Sequence, residues 1–361
     1  MLSKKYIRIL SGFLLCLIYQ SCETEIDLNS DTSKDLLVVY GILDCSDKTQ
    51  TVHIGRMANP DETGTAFNNL SEPVQSDSIQ VSIQEWANDR YCTYDLSPEL
   101  NQDKNITMTV FGGVFEPFDF MEYKLIITNL NSGNIITAKT LPLADPKIKK
   151  PTMSNISCTF GDTLNPFEFK YSTIPRGMVY QSQMIIQYVD FTFEGDTVFQ
   201  ERVFAFNPVY VDDPPEFSST RINYGGDLTR SLPLDYLLNI FARVIGASEK
   251  IETRLLYRMN FTVWAGNEVL RNYLKMASKY EDNRKQFFSN INGGYGLFAS
   301  SSHISVTGLK PDDFFLNNLA DGQATRQLKF KRYLYMGRFG HQDPGPSLFF
   351  TLINSRSDEG N

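Results

Sequence analysis

The chain predicts a mainly β protein, with an N-terminal immunoglobulin-like antiparallel β-sandwich followed by a second β-rich domain that carries one or two helices. Three observations lead there. Apolar and polar residues alternate in at least six short segments before residue 140, turn-forming residues separate those segments, and no helical spacing interrupts them. With 361 residues and 42% hydrophobic content, the chain can bury two cores.

Leu36 to Tyr40 is an apolar run rich in β-branched residues, and Thr49 to Arg56 sets Val52 and Ile54 on one face. Ser78 to Gln84 alternates strictly and points Ile79, Val81 and Ile83 at a core. Ile106, Met108 and Val110 repeat the pattern, as do Tyr123, Leu125 and Ile127, and the turn NLNSGN leads into a strand from Ile135 to Thr140. Between the second and third strands, Met57 to Val74 forms a long excursion of the kind that is usually functional or mobile. The proline-bearing stretch LPLADPKIKKP, 141–151, loses the alternation and divides a sandwich over 36–145 from a second domain over 146–355.

In the second part, Met184 to Phe193 and Thr197 to Phe206 flank Glu194-Gly195-Asp196, which reads as a hairpin turning at Gly195. Leu255, Tyr257, Met259, Phe261 and Val263 give the longest alternating strand. One helix is expected near 267–279, with Asn267 as its cap and Val269, Leu270, Tyr273, Leu274 and Ala277 at helical spacing. Ser231 to Ala242, with Pro233 near its start, fits either a second helix or an irregular strand entry. The tail over 356–361 is expected to be disordered.

The N-terminus sets the expected location. Lys4, Lys5 and Arg8 precede an apolar segment from Ile9 to Tyr19 that is too short to span a bilayer, which needs about 20 apolar residues. Ser21-Cys22 then supplies a small residue before a cysteine, so 1–21 reads as a lipoprotein signal peptide, Cys22 as the lipid-bearing N-terminus and 22–35 as a polar tether. A cleaved secretory signal with Cys22 free or disulfide-bonded is the competing reading. No later stretch is long and apolar enough to cross a membrane.

Chemistry-bearing motifs are sparse. Beyond the signal the chain has a net charge of −11, which disfavours nucleic acid as a partner. His53, His303 and His341 lie far apart, and no nucleophile elbow, phosphate loop, dinucleotide fingerprint or metal-type cysteine spacing is present, so no metal or cofactor is expected. Asp212, Asp213 and Glu216 form an acidic cluster that fits a solvated loop better than a pair of catalytic carboxylates. Cys45, Cys92 and Cys158 allow one bridge, Cys45 to Cys92, or three free buried thiols. The most distinctive stretch is FFSNINGGYGLFAS, 287–300. There Asn290, Asn292, Gly293, Gly294, Gly296 and Phe298 suit either a contact with a partner or ligand or a tight structural crossing, because glycine alone tolerates positive φ freely.

CETEIDL followed by LLVVYGIL, then EYKLIITNLNSGNIITAKTLPLADP, then LRNYLKMASKY and SNINGGYGLFAS, resemble a family of Bacteroidota lipoproteins, the domain of unknown function numbered 4249. The basic stretch FKRYLYMGRFGHQDPGP, 330–346, matches nothing in that family, nor does the chain carry the cysteine pair often found in its second domain. The resemblance implies an outer-membrane lipoprotein, surface-exposed and lipid-anchored, often found beside a TonB-dependent β-barrel transporter, and it transfers no catalytic residues. The function expected is therefore non-enzymatic capture of a nutrient ligand; a surface glycan hydrolase using two carboxylates and a structural or adhesive surface protein are the alternatives.

Overall fold

The computed structural model describes residues 36–57, 71–99, 108–154, 157–160, 165–212, 217–218, 221–222, 225–279 and 288–332. Over these residues the protein is mainly β. The first half contributes β1 (Leu37–Asp44), β2 (Thr49–Met57), β3 (Ser71–Pro73), β4 (Ile79–Ala87), β5 (Arg90–Glu99), β6 (Thr109–Val114), β7 (Glu122–Asn129) and β8 (Ile135–Thr140). The second half contributes β9 (Lys147–Lys150), β10 (Ser157–Cys158), β11 (Phe167–Ser172), β12 (Val179–Thr192), β13 (Thr197–Ala205), β14 (Val209–Tyr210), β15 (Phe217–Ser218), β16 (Arg221–Ile222) and β17 (Asp227–Leu232). Helix α1 (Leu234–Val244), strand β18 (Ile251–Gly266), helix α2 (Glu268–Lys279), strand β19 (Tyr295–Pro311) and helix α3 (Asp313–Asp321) follow.

The expected sandwich forms because β5 changes layer. Its residues Arg90 to Leu96 pair with β4, and Ser97 to Glu99 pair with β6, so β1-β2-β6 face β5-β4-β7-β8. Val39, Val52, Ile54 and Phe111 meet Val81, Ile83, Tyr123, Leu125 and Ile127 between the layers. Each fully buried apolar side chain of this kind contributes about 1.5–3 kcal/mol. The alternation read from the sequence points inward as expected: Ile79, Val81 and Ile83 are all buried. Strand β5 escaped that reading because only Leu96 among its ten residues is buried, which leaves no apolar rhythm to detect.

The second core lies on one face of β12 and β18. Met184, Ile186, Tyr188, Met259, Phe261 and Val263 pack against the three-stranded sheet β17-β11-β9, which brings Phe167, Phe169 and Tyr171, and against Phe241 of α1 and Phe315 of α3. Of the two readings of 231–242 the helix is the one formed: β17 ends at Leu232 and α1 begins after Pro233, whose carbonyl accepts from Leu237 N at 3.0 Å. Helix α2 is capped as expected: Asn267 Oδ1 accepts from Leu270 N at 3.1 Å while its Nδ2 donates to Thr140 Oγ1 at 2.9 Å. Among the described residues there are three α-helices, where one or two were expected. Helix α3 went unread because its buried stripe consists of Phe315 and Leu319 alone, although Asp312 caps it by accepting from Phe315 N at 2.9 Å.

Within the second core, Arg254 on β18 and Asp190 on β12 form a buried ion pair, Nε to Oδ1 at 2.7 Å, with side chains 5% and 8% exposed. Arg254 Nη1 also donates to Gly246 O and Leu328 O, both at 3.0 Å. The backbone of Arg254 also pairs with Lys329 and Lys331, so one residue fastens the end of the described chain to the sheet.

The halves share one sheet. Strand β19 pairs in parallel with β1, from Val38 opposite Tyr295 to Asp44 opposite Ser301, and the resulting mixed sheet has fourteen strands among the described residues.

Candidate functional site

The glycine-rich stretch builds the junction between β19 and β1, and it makes its contacts within the chain. Asn290 acts as a clamp across the turn: its Nδ2 donates to Phe298 O and its Oδ1 accepts from Phe298 N, both at 2.8 Å. The neighbouring Ser289 Oγ accepts from Gly296 N at 3.1 Å and from Ile291 N at 3.2 Å. Asn292 pairs through its backbone with Thr137 of β8, its N–H donating to Thr137 O at 2.8 Å and its carbonyl accepting from Thr137 N at 3.0 Å. The stretch therefore grips β1 and β8 together, and Ile291 and Phe298 enter the sandwich core.

Glycine is required here for two separate reasons. Gly293 and Gly296 have φ of +80° and +124°, where L side chains are strained. Gly294 and Gly296 also lie against β1, so that a Cβ would stand 3.1 Å from Leu37 O at Gly294 and 2.0 Å from Val39 O at Gly296. Phe298 in turn packs over Gly41. Of the two readings of the motif, these contacts describe the structural crossing.

Beside it, β19 gathers residues that the sequence leaves scattered. Ser300 Oγ donates to Leu141 O at 2.7 Å and Ser302 Oγ to Ala144 O at 2.8 Å, which binds the proline-rich connection to the sheet. His303 Nδ1 stands 3.2 Å from Asp44 Oδ2, and its ring stacks on Trp264 with centroids 4.2 Å apart. Ser46 Oγ donates to Asp145 Oδ1 and accepts from His303 N, each at 2.7 Å. A serine, a histidine and two aspartates thus meet, but the hydroxyl is directed at Asp145, whereas nucleophilic chemistry needs it on an imidazole nitrogen. The arrangement ties β1, β19 and the connection together. No local signal announced it, because His303 and Asp44 are 259 residues apart.

Cys45 sits in the same junction, where Leu143 N donates to its Sγ at 3.3 Å. Burial, reinforced by nearby Asp44 and Asp145, pushes its thiol up to about 12, so it stays protonated and unreactive at neutral pH. Cys45, Cys92 and Cys158 are all free, but only Cys158 is fully buried: Cys92 is exposed, on a strand whose side chains mostly face solvent. On the far side of β1, Tyr40 meets Tyr273 of α2 edge-on at 6.3 Å, and burial followed by that neighbour pushes its hydroxyl up to about 12.

Of the acidic cluster, Asp212 is exposed and faces Lys275 at 3.5 Å and Arg271 at 3.7 Å, a surface pairing of small energetic weight. Asp213 and Glu216 lie outside the described residues, as do Cys22 with its signal and tether, 58–70 of the long excursion, 333–346 of the basic stretch and the tail. Among the described residues there is no cluster of three or more metal-ligating side chains and no helix long and apolar enough to cross a membrane.

No family model matches the chain, and no curated protein does. Among solved structures it is similar to the C-terminal globular domain of an oligosaccharyltransferase from Pyrococcus abyssi, at 8% identity and a TM-score of 0.18, covering 77% of this chain and 50% of that one. The chain thus spans about half of that structure, and a likeness so slight bears on neither fold nor function.

Proposed function

We propose that this chain is a lipoprotein of the outer membrane, held at the cell surface by acyl chains on Cys22, and that it captures a nutrient ligand beside a TonB-dependent transporter without catalysing a reaction. One observation carries the reading: Lys4, Lys5 and Arg8, a short apolar run and Ser21-Cys22, followed by the acidic residues Glu23, Glu25 and Asp27. Two acyl chains suffice for stable anchoring, because each buried methylene adds about 0.8 kcal/mol.

The placement of β1 is compatible with a tethered body. Thirteen residues, 23–35, separate the anchor from the start of the described chain. Extended at about 3.3–3.6 Å per residue they reach roughly 50 Å, enough to let the body meet a neighbouring barrel. Strand β1 lies between β19 and β2, so a pull on the tether is borne by a strand with partners on both sides. Tethering supports capture by raising the effective concentration of the binding surface at the transporter. The transporter itself comes from the family resemblance.

Affinity purification from detergent-solubilised outer membranes, with a Cys22→Ala control, tests the reading. Stoichiometric recovery of one β-barrel transporter, lost in the control, is the expected result; recovery of the lipoprotein alone would remove the transporter from the account.

A further inference from the structure

The two ends of the long sheet are treated differently. At one end, the outer side of β8 is covered by Asn292, paired with Thr137, and by Gly293 and Gly294 against Ile135 and Ile136. At the other end β13 pairs, among the described residues, with β12 alone. Proline, lysine and bulges ordinarily keep an edge strand from pairing with another chain. Strand β13, TVFQERVFA, has no proline or lysine and no bulge in its register with β12, and its charges are Glu201 and Arg202 alone.

The direction of the edge backbone groups follows from two flanking bonds. Thr192 N donates to Asp196 O and Phe206 N to Ser182 O, so even-numbered positions turn toward β12. By the two-residue period of a strand, Phe199, Glu201, Val203 and Ala205 turn their N–H and C=O groups outward, where Glu201 O accepts from the exposed Arg202 Nη1 at 2.8 Å, a bond that pairing would replace. Apolar side chains stand exposed along the same edge: Val198 is 41%, Phe199 49% and Val203 51% exposed.

We propose that β13 pairs antiparallel with β13 of a second copy of this chain, about a two-fold axis at Glu201. The strand is self-complementary in that register. Phe199 lies opposite Val203 of the other copy twice over on one face, and on the other face Val198 lies opposite Phe204 and Gln200 opposite Arg202, again twice. Aromatic residues facing β-branched ones are favourable cross-strand pairs. Moving the axis to Gln200 would set Phe199 against Glu201 and Val198 against Arg202 and lose every such pair, so the side chains specify the register. The one unfavourable contact is Glu201 against its own mate, which Gln187 Nε2 shares by donating to Glu201 Oε2 at 2.9 Å.

Cysteine cross-linking in intact membranes reads the register directly. In a Cys92→Ser background, which removes the exposed thiol, Glu201→Cys is expected to give a covalent dimer on mild oxidation, because residues directly opposite bring their Cα atoms within about 4.4–6.8 Å. Gln200→Cys and Arg202→Cys, each diagonal to its own mate and beyond roughly 7 Å, are expected to give at least about tenfold less. By sedimentation of the full chain in detergent, Glu201→Gln should tighten the dimer about fivefold by removing the like-charge contact, and Phe199→Lys with Val203→Lys should abolish it. Equal cross-linking at all three positions together with a monomeric mass would overturn the proposal. So would a dimer that forms only after deletion of the residues beyond Arg332, which would assign the edge to that segment.

Discussion

Gly296→Ala is expected to destabilise the protein by more than about 4 kcal/mol, a magnitude single substitutions rarely reach. Two costs coincide at this position. A φ of +124° is nearly confined to glycine and strains any other residue by about 1–3 kcal/mol. The added Cβ would also stand 2.0 Å from Val39 O, a backbone atom of β1 that cannot retreat without breaking the β1–β19 pairing. Gly133→Ala supplies the control, because Gly133 also has positive φ, +74°, but nothing lies within 4 Å of its Cβ position. It should lose only about 1 kcal/mol. Urea unfolding of the two variants separates strain from collision: similar midpoints would show that β19 does not depend on close approach to β1.

Asp190→Ala is expected to cost about 3–5 kcal/mol, because it strands the Arg254 guanidinium in the second core without its counter-charge. Adding Arg254→Met to that variant should recover part of the loss, since removing both charges relieves the desolvation that one unpaired charge suffers. Recovery should stay incomplete, as Gly246 O and Leu328 O lose their shared donor. The same substitutions should increase proteolysis near 326–332, the segment Arg254 holds through both side chain and backbone. Equal unfolding midpoints in wild type and Asp190→Ala would mean that packing alone secures that segment.

What was legible in the sequence follows from how far each signal reaches. Strands β4, β7 and β8 announce themselves because one face of each is buried, and the alternation of Ile79, Val81 and Ile83 is a property of neighbouring residues. The cap on α2 and the hairpin at Gly195 are equally local. Partner choice is different. Nothing in Leu37 to Asp44 indicates that its second neighbour is Tyr295 to Pro311, because alternation records which face is buried and not which strand lies alongside. The glycine stretch shows this limit well: its composition marked either a contact or a tight crossing, but the atom approached, Val39 O, became visible only in three dimensions. The cluster of Asp44, Ser46, Asp145 and His303 went unread for the same reason.

The acyl anchor on Cys22 is the central claim, since location, tether and transporter partner all depend on it. Mass spectrometry of the N-terminal peptide from membrane-extracted protein tests it most directly. A peptide that begins at Cys22 and carries a diacylglyceryl thioether is the predicted result; a mature N-terminus elsewhere, or an unmodified Cys22 thiol, would contradict the account.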